Sequence, residues 1–174
     1  MIRKTVQIGN KVIRTGGRKV TERAIRSQKI KRLIRDMVDT MRHDNLIGIA
    51  APQIGVGLNV FVTEVRKTRV RTSVKKDDAL RIFINPKILS LSKKQTVLFE
   101  GCGSVANAAL FGPVRRPATV AVQAFDADGK RFKLIADGLL AKAIQHEYDH
   151  LHGVLCIDKF TSTKKIVHRD EYKV

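Results

Sequence analysis

Residues 146 to 150 read HEYDH, which places two histidines four residues apart with a glutamate beside the first. On an α-helix, positions i and i+4 lie on one face, so His146 and His150 can direct two imidazole nitrogens at one metal ion. Glu147 then stands at the edge of the same site, where it can exchange protons with a water molecule on the metal. The pattern indicates metal-assisted hydrolysis, although it supplies only two of the three protein ligands that a catalytic metal usually has.

The sequence offers three candidates for the third ligand. Cys156 stands where one class of zinc protease has a histidine, but its apolar neighbours favour a buried side chain. A second class of zinc protease has a ligand glutamate about twenty residues after HExxH, and Glu171 lies near that spacing. The surroundings of Glu171 are polar, however, and close to the terminus. Cys102 lies between two glycines, which allow close approach to a metal. A thiolate with two imidazoles would leave a fourth position for water, the arrangement of a catalytic site.

The bulk properties favour one globular domain over residues 1–174. A chain of this length buries a hydrophobic core without disulfide bonds, and 43% of its residues are hydrophobic. No apolar run approaches the length of a membrane span, and the basic start lacks the apolar core of a signal peptide. With only two cysteines, reduced thiols are expected. We therefore expect a cytoplasmic enzyme without a membrane partner.

The net charge of +18 is unevenly distributed along the chain. Residues 1–76 contain 19 lysine and arginine residues against five acidic ones, whereas residues 77–174 contain 15 against 11. A basic half suggests an acidic partner such as RNA or a ribosome surface. A solvated basic surface without such a partner is the alternative interpretation, and no aromatic-rich RNA-binding motif decides between them.

Hydrophobic spacing predicts two helices and several strands. Ile30, Leu33, Ile34, Met37 and Met41 repeat at helical spacing from Ser27 to the Asp44-Asn45 pair, and a second helix from Gly138 carries HEYDH. Alternation predicts strands over residues 59–65, 80–84, 97–99, 120–124 and 131–135, the last two joined by a turn over 126–129. We therefore predict an α+β fold, with antiparallel strands packed around a central helix that carries the HExxH motif.

The remaining segments are predicted as turns and loops. The first stretch is irregular, and residues 46–56 form a short strand or extended segment that leads into a turn. A turn is expected at Asn85-Pro86, a basic loop over 66–76 and a further loop over 105–113. The polar tail after Phe160 is expected to form a short helix.

Three segments together resemble the peptide deformylase family. The family has three ordered motifs, Gly-φ-Gly-φ-Ala-Ala-Pro-Gln, Glu-Gly-Cys-φ-Ser and Gln-His-Glu-x-Asp-His, where φ is an apolar residue. This chain has them in the same order as LIGIAAPQ (46–53), EGCGS (100–104) and QHEYDH (145–150). The resemblance also extends to FINPKIL and to ADGLLA before the last motif.

The resemblance implies a metal and its ligands. It implies that Cys102, His146 and His150 hold one divalent ion, which in this family is often Fe²⁺ in the cell, with Zn²⁺ or Ni²⁺ able to occupy the site. A soft thiolate with imidazoles is compatible with all three ions. The resemblance also implies that Glu100 and Arg116 form an ion pair beside the ligands.

The resemblance further implies the reaction. A peptide deformylase removes the formyl group from the N-terminal formyl-methionine of newly made polypeptides and releases formate. Glu147 is then the proton carrier, and the Gln53 side-chain amide and the Gly103 backbone N–H are the donors to the oxyanion. The residues implied to contact the substrate are Ile47, Gly48, Glu100 and Leu139.

Two positions depart from the motifs. Leu46 stands where the family has its first glycine, in a segment that lies alongside the bound peptide, so its side chain could narrow the groove or point away. Gly103 stands where the family usually has an apolar residue. Both departures bear on substrate preference more than on the metal. The long C-terminal helix of the family also looks shortened here after Phe160.

Three alternatives to a deformylase remain at the level of sequence. The first is a zinc peptidase that uses HEYDH, and the second is a basic ribosome- or RNA-binding protein with a structural metal site. The third is a deformylase-like enzyme that acts on another N-acyl substrate. For the deformylase we expect a monomer that acts on N-formyl-methionyl peptides near the ribosome, where the basic half of the chain would favour the phosphate-rich surface.

Overall fold

The computed structural model describes residues 1–68 and 77–172. The α-helices are α1 (Lys11–Thr15), α2 (Glu22–Ile25), α3 (Gln28–His43) and α4 (Gly138–His150). The strands are β1 (Gly48–Ala50), β2 (Val60–Val65), β3 (Asp78–Leu91), β4 (Gln95–Gly101), β5 (Leu110–Pro117), β6 (Thr119–Phe125), β7 (Arg131–Asp137) and β8 (Val167–His168). Short 3₁₀ helices cover Ala51–Ile54, Ala106–Ala108, Cys156–Lys159, Thr163–Lys165 and Arg169–Glu171.

The strands form two antiparallel sheets. One has the order β1-β2-β3-β6-β7, and the other has the order β4-β5-β8. Helix α4 packs on the five-stranded sheet, because its apolar residues at helical spacing share one core with the inward-facing residues of β2, β3, β6 and β7. The members of this core include Phe61, Phe83, Val120, Val122, Ala136, Ala141, Ile144 and Leu151. The predicted α+β class with a central helix is confirmed.

Helix α3 has the expected extent and a defined end. The Ser27 hydroxyl accepts a hydrogen bond from the Ile30 backbone N–H at 3.3 Å and so caps the first turn. At the other end, Asn45 adopts a left-handed conformation with φ 54°, and the Leu46 N–H donates to the Met41 carbonyl at 2.9 Å. This is the Schellman arrangement, and it ends the helix so that only Asp44 and Asn45 separate α3 from the first motif.

Strands β4 and β5 form a hairpin whose connection begins with the predicted ligand Cys102. The register pairs Glu100 with Gly112 and Gly101 with Phe111. A Cβ atom on Gly101 would lie 2.7 Å from the Phe111 ring, so only glycine allows this ring to cover the end of β4. The first glycine of EGCGS therefore has a packing reason that is separate from the metal.

The Asn85-Pro86 turn was predicted wrongly, since β3 continues through it. Asn85 has φ 50°, and the register with β6 shifts at this point, so the pair forms an irregularity inside a long strand. The Asn85 side chain explains the conformation, because it donates to the Val20 carbonyl at 2.7 Å and accepts from the Val20 N–H at 2.9 Å. A contact 65 residues away along the chain is invisible to local turn rules.

Two other irregular segments also proved to be ordered. Within residues 105–113, Ala106, Asn107 and Ala108 are left-handed and form a 3₁₀ turn, after which β5 begins at Leu110. The small residues that suggested a loop are therefore followed by a strand. The N-terminal stretch contains α1 and α2, and the Asn10 side chain caps α1 by accepting from the Val12 N–H at 3.0 Å.

The basic loop predicted over 66–76 lies largely outside the described residues. After Phe160 the described part of the tail contains 3₁₀ turns and the short strand β8, which pairs with β5, so the predicted shortening of the terminal helix agrees with the structure. None of the helices in residues 1–68 and 77–172 is long and apolar enough to cross a membrane.

Candidate metal centre

The three predicted ligands come together between the β4–β5 hairpin and helix α4. Cys102 follows the last residue of β4, and His146 and His150 occupy successive turns of α4. Their ligand atoms all lie within 4.8 Å of one another, and the Cys102 Sγ lies 3.3 Å from the His150 Nε2. Within the described residues this group includes neither Cys156 nor Glu171, the two rival ligands suggested by zinc protease spacing.

A buried network orients the His146 ring. Both oxygens of Glu100 are engaged, because Oε1 accepts from the Arg116 Nε at 2.5 Å and Oε2 accepts from the Arg116 Nη2 at 2.9 Å. Oε2 also lies 2.8 Å from the His146 Nδ1, which leaves the Nε2 of this ring to face Cys102. The Arg116 Nη1 in turn donates to Asp149 at 2.8 Å, so the network returns to α4.

Glu100 is among the residues predicted to contact substrate, and in the structure its carboxylate belongs to the network beside His146. Its carboxylate is 2% exposed, and Arg116 and His146 occupy both oxygens. Burial alone would raise the pKa of Glu100, but these two partners hold that pKa well below its usual value. The residue is therefore a fixed negative charge that orients a ligand.

The donor set fits a soft or borderline divalent cation. Burial holds the pKa of His150 well below its ordinary value, so its imidazole is neutral and has a lone pair available. A hydrogen bond with Cys156 and burial raise the pKa of Cys102, so its thiol loses the proton only to a cation that binds the sulfur. Burial lowers the pKa of His146, but the hydrogen bond to Glu100 outweighs burial and raises this pKa to about 9. A metal must therefore compete with a proton for the His146 imidazole.

Glu147 follows His146 on α4 and is buried near the same cluster. It is 3% exposed, and its Oε2 has no hydrogen-bond partner among the described residues. Burial raises its pKa to about 7, near the value that suits a group that both takes and gives a proton. The backbone of β1 passes directly over this carboxylate, since a Cβ atom on Gly48 would lie 2.7 Å from the Glu147 Oε1.

Gln53 is held so that its amide nitrogen faces the ligand sulfur. It is 1% exposed, and its Oε1 accepts a hydrogen bond from the Ala50 N–H at 2.7 Å. Its Nε2 lies 3.6 Å from the Cys102 Sγ. Because the oxygen of the amide is engaged by the backbone, the two N–H donors are directed toward the metal centre.

The N-terminal segment supports the loop that contains Gly103, a contact that was not predicted from the sequence. The Gln7 Nε2 donates to the Gly103 carbonyl at 2.8 Å, and the Gln7 Oε1 accepts from the Asn107 N–H at 3.0 Å. The Val6 N–H donates to the Gln53 carbonyl at 2.9 Å. One segment therefore ties together the two predicted oxyanion donors, although no motif or periodicity marks Gln7.

The other predicted substrate residues flank the cluster. Ile47 immediately precedes β1, and its carbonyl accepts from the Glu64 N–H at 2.8 Å. Leu139 is half-buried on the first turn of α4, two turns before His146. Asp149 was not singled out in the sequence, although it lies within HEYDH, and its pairing with Arg116 shows what that aspartate does.

Comparisons with known proteins agree on one family. The family model described as polypeptide deformylase matches residues 2–166. A peptide deformylase of Leptospira biflexa is 37% identical over 163 residues, which cover 94% of this chain and 90% of the relative. Peptide deformylase 1 of Clostridium perfringens is 43% identical over 133 residues, which cover 76% and 82%. The crystal structure of a class I type b peptide deformylase from Acinetobacter baumannii with Met-Ala-Ser bound superposes with a TM-score of 0.87 at 26% identity, covering 92% of this chain and 99% of that one.

The contact between Gly48 and Glu147 gives a test of the site. In Gly48→Ala the new Cβ would overlap the carboxylate, which must move, and a displacement of about 1 Å at a reacting group can cost about 100-fold in rate. We expect formate release from a formyl-methionyl peptide to fall about that much. The matched control is Gly57→Ala, where the nearest atom to a new Cβ is 3.7 Å away. Equal turnover by the two variants would contradict the placement of Glu147.

Proposed function

The chain belongs to the polypeptide deformylase family, and from that membership and the geometry at Cys102 we propose how its residues share the work. It is a metal-dependent hydrolase that removes the formyl group from the N-terminal formyl-methionine of new polypeptides and releases formate. The observation that carries the assignment of roles is the convergence of Cys102, His146 and His150, with Glu147 buried beside them.

Cys102, His146 and His150 are the proposed ligands of one divalent ion. A bound ion supplies a Lewis acid that polarises the formyl oxygen and lowers the pKa of water. Three protein ligands within the described residues leave a coordination position for the reactants, as catalytic sites require. We propose Fe²⁺ as the ion in the cell, as the resemblance to the family implies. One thiolate and two imidazoles also suit Zn²⁺ and Ni²⁺, so these ions are the proposed substitutes.

Glu147 is the proposed proton carrier. Its unpartnered Oε2 can accept the proton of the attacking water and then deliver it to the departing amine. Burial serves this role, because a carboxylate whose pKa lies near neutrality both accepts and releases a proton readily. The Gly48 backbone limits the movement of this side chain, so the proton is transferred along a fixed path.

Gln53 and Gly103 are the proposed donors to the oxyanion that forms on the formyl group. The Gln53 amide is oriented by its bond from Ala50, and the Gly103 loop is held by Gln7. Donors that are fixed before the reaction stabilise the developing charge without reorganisation, and one such donor is typically worth about 100- to 1,000-fold in rate. Ile47, Gly48 and Leu139 then border the substrate.

The basic half of the chain supports a proposal about where the enzyme works. Helix α3 exposes Lys31, Arg32 and Arg35, and Arg35 lies four residues after Lys31 and three after Arg32, so the three share one side. We propose that this face contacts the phosphate-rich ribosome where the formylated chain emerges. The cytoplasm is then its location, and a monomer is sufficient, because the ligands, Glu147 and Gln53 all belong to one chain.

The function is tested by an anaerobic assay of the iron-loaded protein on a formyl-methionyl peptide. We expect formate release by the intact protein and a loss of about 100- to 10,000-fold in Glu147→Ala, the usual contribution of a positioned proton carrier. The exposed Glu171→Ala is the matched control and should retain full activity. Absence of formate from the intact protein would reject the function, and full activity of Glu147→Ala at equal iron content would reject the role of Glu147.

Ribosome contact is tested by co-sedimentation at low and raised salt. We expect binding that weakens steeply with salt, because each phosphate contact releases counterions. Lys31→Glu/Arg35→Glu should reduce the logarithmic salt slope by about one unit for each residue. Lys93→Glu/Lys94→Glu, an equal change of charge between β3 and β4, should leave the slope unchanged. Binding that ignores salt, or that responds equally to both pairs, would contradict the proposal.

A further inference from the structure

Leu46 has a position that is set by helix α3 and not by the strand that follows it. Asn45 is left-handed, its N–H donates to the Arg42 carbonyl at 3.3 Å, and the Leu46 N–H donates to the Met41 carbonyl at 2.9 Å. These two bonds are the pair that defines a Schellman motif. The Leu46 side chain is partly buried and packs against the core that contains α3. It is therefore a rigid feature at the start of the segment that borders the substrate.

Gly103 lies directly beneath this side chain. A Cβ atom built on Gly103 would lie 3.5 Å from the Leu46 Cδ1, 3.9 Å from its Cδ2 and 3.8 Å from the Thr5 Cγ2. Gly103 does not adopt a left-handed conformation, so its backbone does not require glycine. A Cβ alone would make ordinary contacts, whereas a longer side chain directed toward Leu46 would compete with it for the same space.

The two departures from the family motifs are thus one feature in space. The family usually has an apolar side chain at position 103, where this protein has glycine. The Leu46 side chain occupies the space beside Gly103 instead, although Leu46 lies 57 positions earlier in the chain and on a different element. The apolar surface over the Gly103 backbone is retained, but it is now supplied from α3. The hairpin loop therefore has the conformational freedom of glycine at position 103, whereas the apolar contact comes from Leu46, which is held rigidly at the end of α3.

The distance of Leu46 from Gly48, the first residue of β1, indicates which part of a substrate Leu46 meets. Gly48 lies against Glu147, so the formyl carbon belongs near Gly48. Leu46 is two residues before Gly48, beyond a bend at Ile47, so the Cα atoms of Leu46 and Gly48 are at most about 7 Å apart. In an extended formyl peptide, the formyl carbon and the Cα of the residue after methionine are separated by a similar distance, on the order of 6 Å.

We propose that Leu46 is a specificity-determining residue that favours substrates with an apolar residue after formyl-methionine, and that it does so in place of a side chain at position 103. The proposal rests on the proposed function, because it takes Gly103 as a donor beside the formyl group. It assigns Leu46 to substrate binding and not to the chemical step. A change at Leu46 should therefore alter KM for one class of peptide and leave kcat unchanged.

The test compares formyl-Met-Leu and formyl-Met-Ser peptides in the iron-loaded protein. For Leu46→Ala we expect KM for the leucine peptide to rise about tenfold, which is the lower end of the range for losing one methylene contact in an apolar pocket. KM for the serine peptide and kcat for both peptides should not change. Leu46→Val removes one methylene and should raise the same KM about fourfold. Leu89→Ala, an exposed leucine of β3, is the matched control and should change neither KM.

A double-mutant cycle tests the replacement itself. Gly103→Leu should lower kcat/KM at least about tenfold, because its side chain conflicts with Leu46. In Leu46→Ala/Gly103→Leu most of that loss should be recovered, and the preference for the leucine peptide should return. Thermal unfolding of each variant separates misfolding from lost binding, and the mild Leu46→Val change keeps the test decisive if a larger change unfolds the protein.

The possible failures are distinguishable. A wild-type protein that releases no formate from either peptide would refute the proposed function. A wild-type protein that is active, but whose Leu46 variants change both KM values equally or change neither, would overturn the inference and leave the function intact. Additive effects of the two substitutions in the cycle would also overturn it.

Discussion

The buried carboxylate of Glu100 is the point on which the site depends. It comes from β4, its partner Arg116 comes from β5, and the ligand His146 and Asp149 come from α4. The network therefore joins the three-stranded sheet to the helix that packs on the five-stranded sheet. A buried ion pair gains little net stability, but removing one partner leaves an uncompensated charge that costs about 3–5 kcal/mol. The geometry of the ligands and the relative placement of the two sheets are consequently fixed by the same interaction.

The rest of the site is built by holding separate segments around this point. Glu147 lies under the β1 backbone at Gly48, Gln53 follows in the next 3₁₀ turn, and Gly103 lies in the hairpin loop directly after Cys102. The N-terminal segment connects the last two through Val6 and Gln7. Each reactive group is thus supported by a second segment, which agrees with the need for donors that are fixed before charge develops.

How much the sequence predicts depends on how local the signal is. The helix over HEYDH, the capped helix after Ser27 and the hairpin at 126–129 follow from periodicity, capping and turn chemistry over a few residues. The continuation of β3 through Asn85 depends on a bond to Val20, which no local rule contains. The same holds within the site: the spacing of two histidines is local, whereas the support of Gly103 by Gln7 is visible only in three dimensions. The two motif departures, at Leu46 and Gly103, looked independent for the same reason.

The central proposal is that a single thiolate and two imidazoles hold the metal and leave a position for the reactants. X-ray absorption on the Zn²⁺-loaded protein tests this directly, because sulfur and nitrogen ligands differ in distance. The account predicts one sulfur at about 2.3 Å, two imidazole nitrogens at about 2.0–2.1 Å and one further light atom. The Cys156 thiol lies in contact with Cys102, so it would be the second sulfur of a closed site. Two sulfur ligands, or a fourth ligand from the protein, would contradict the claim.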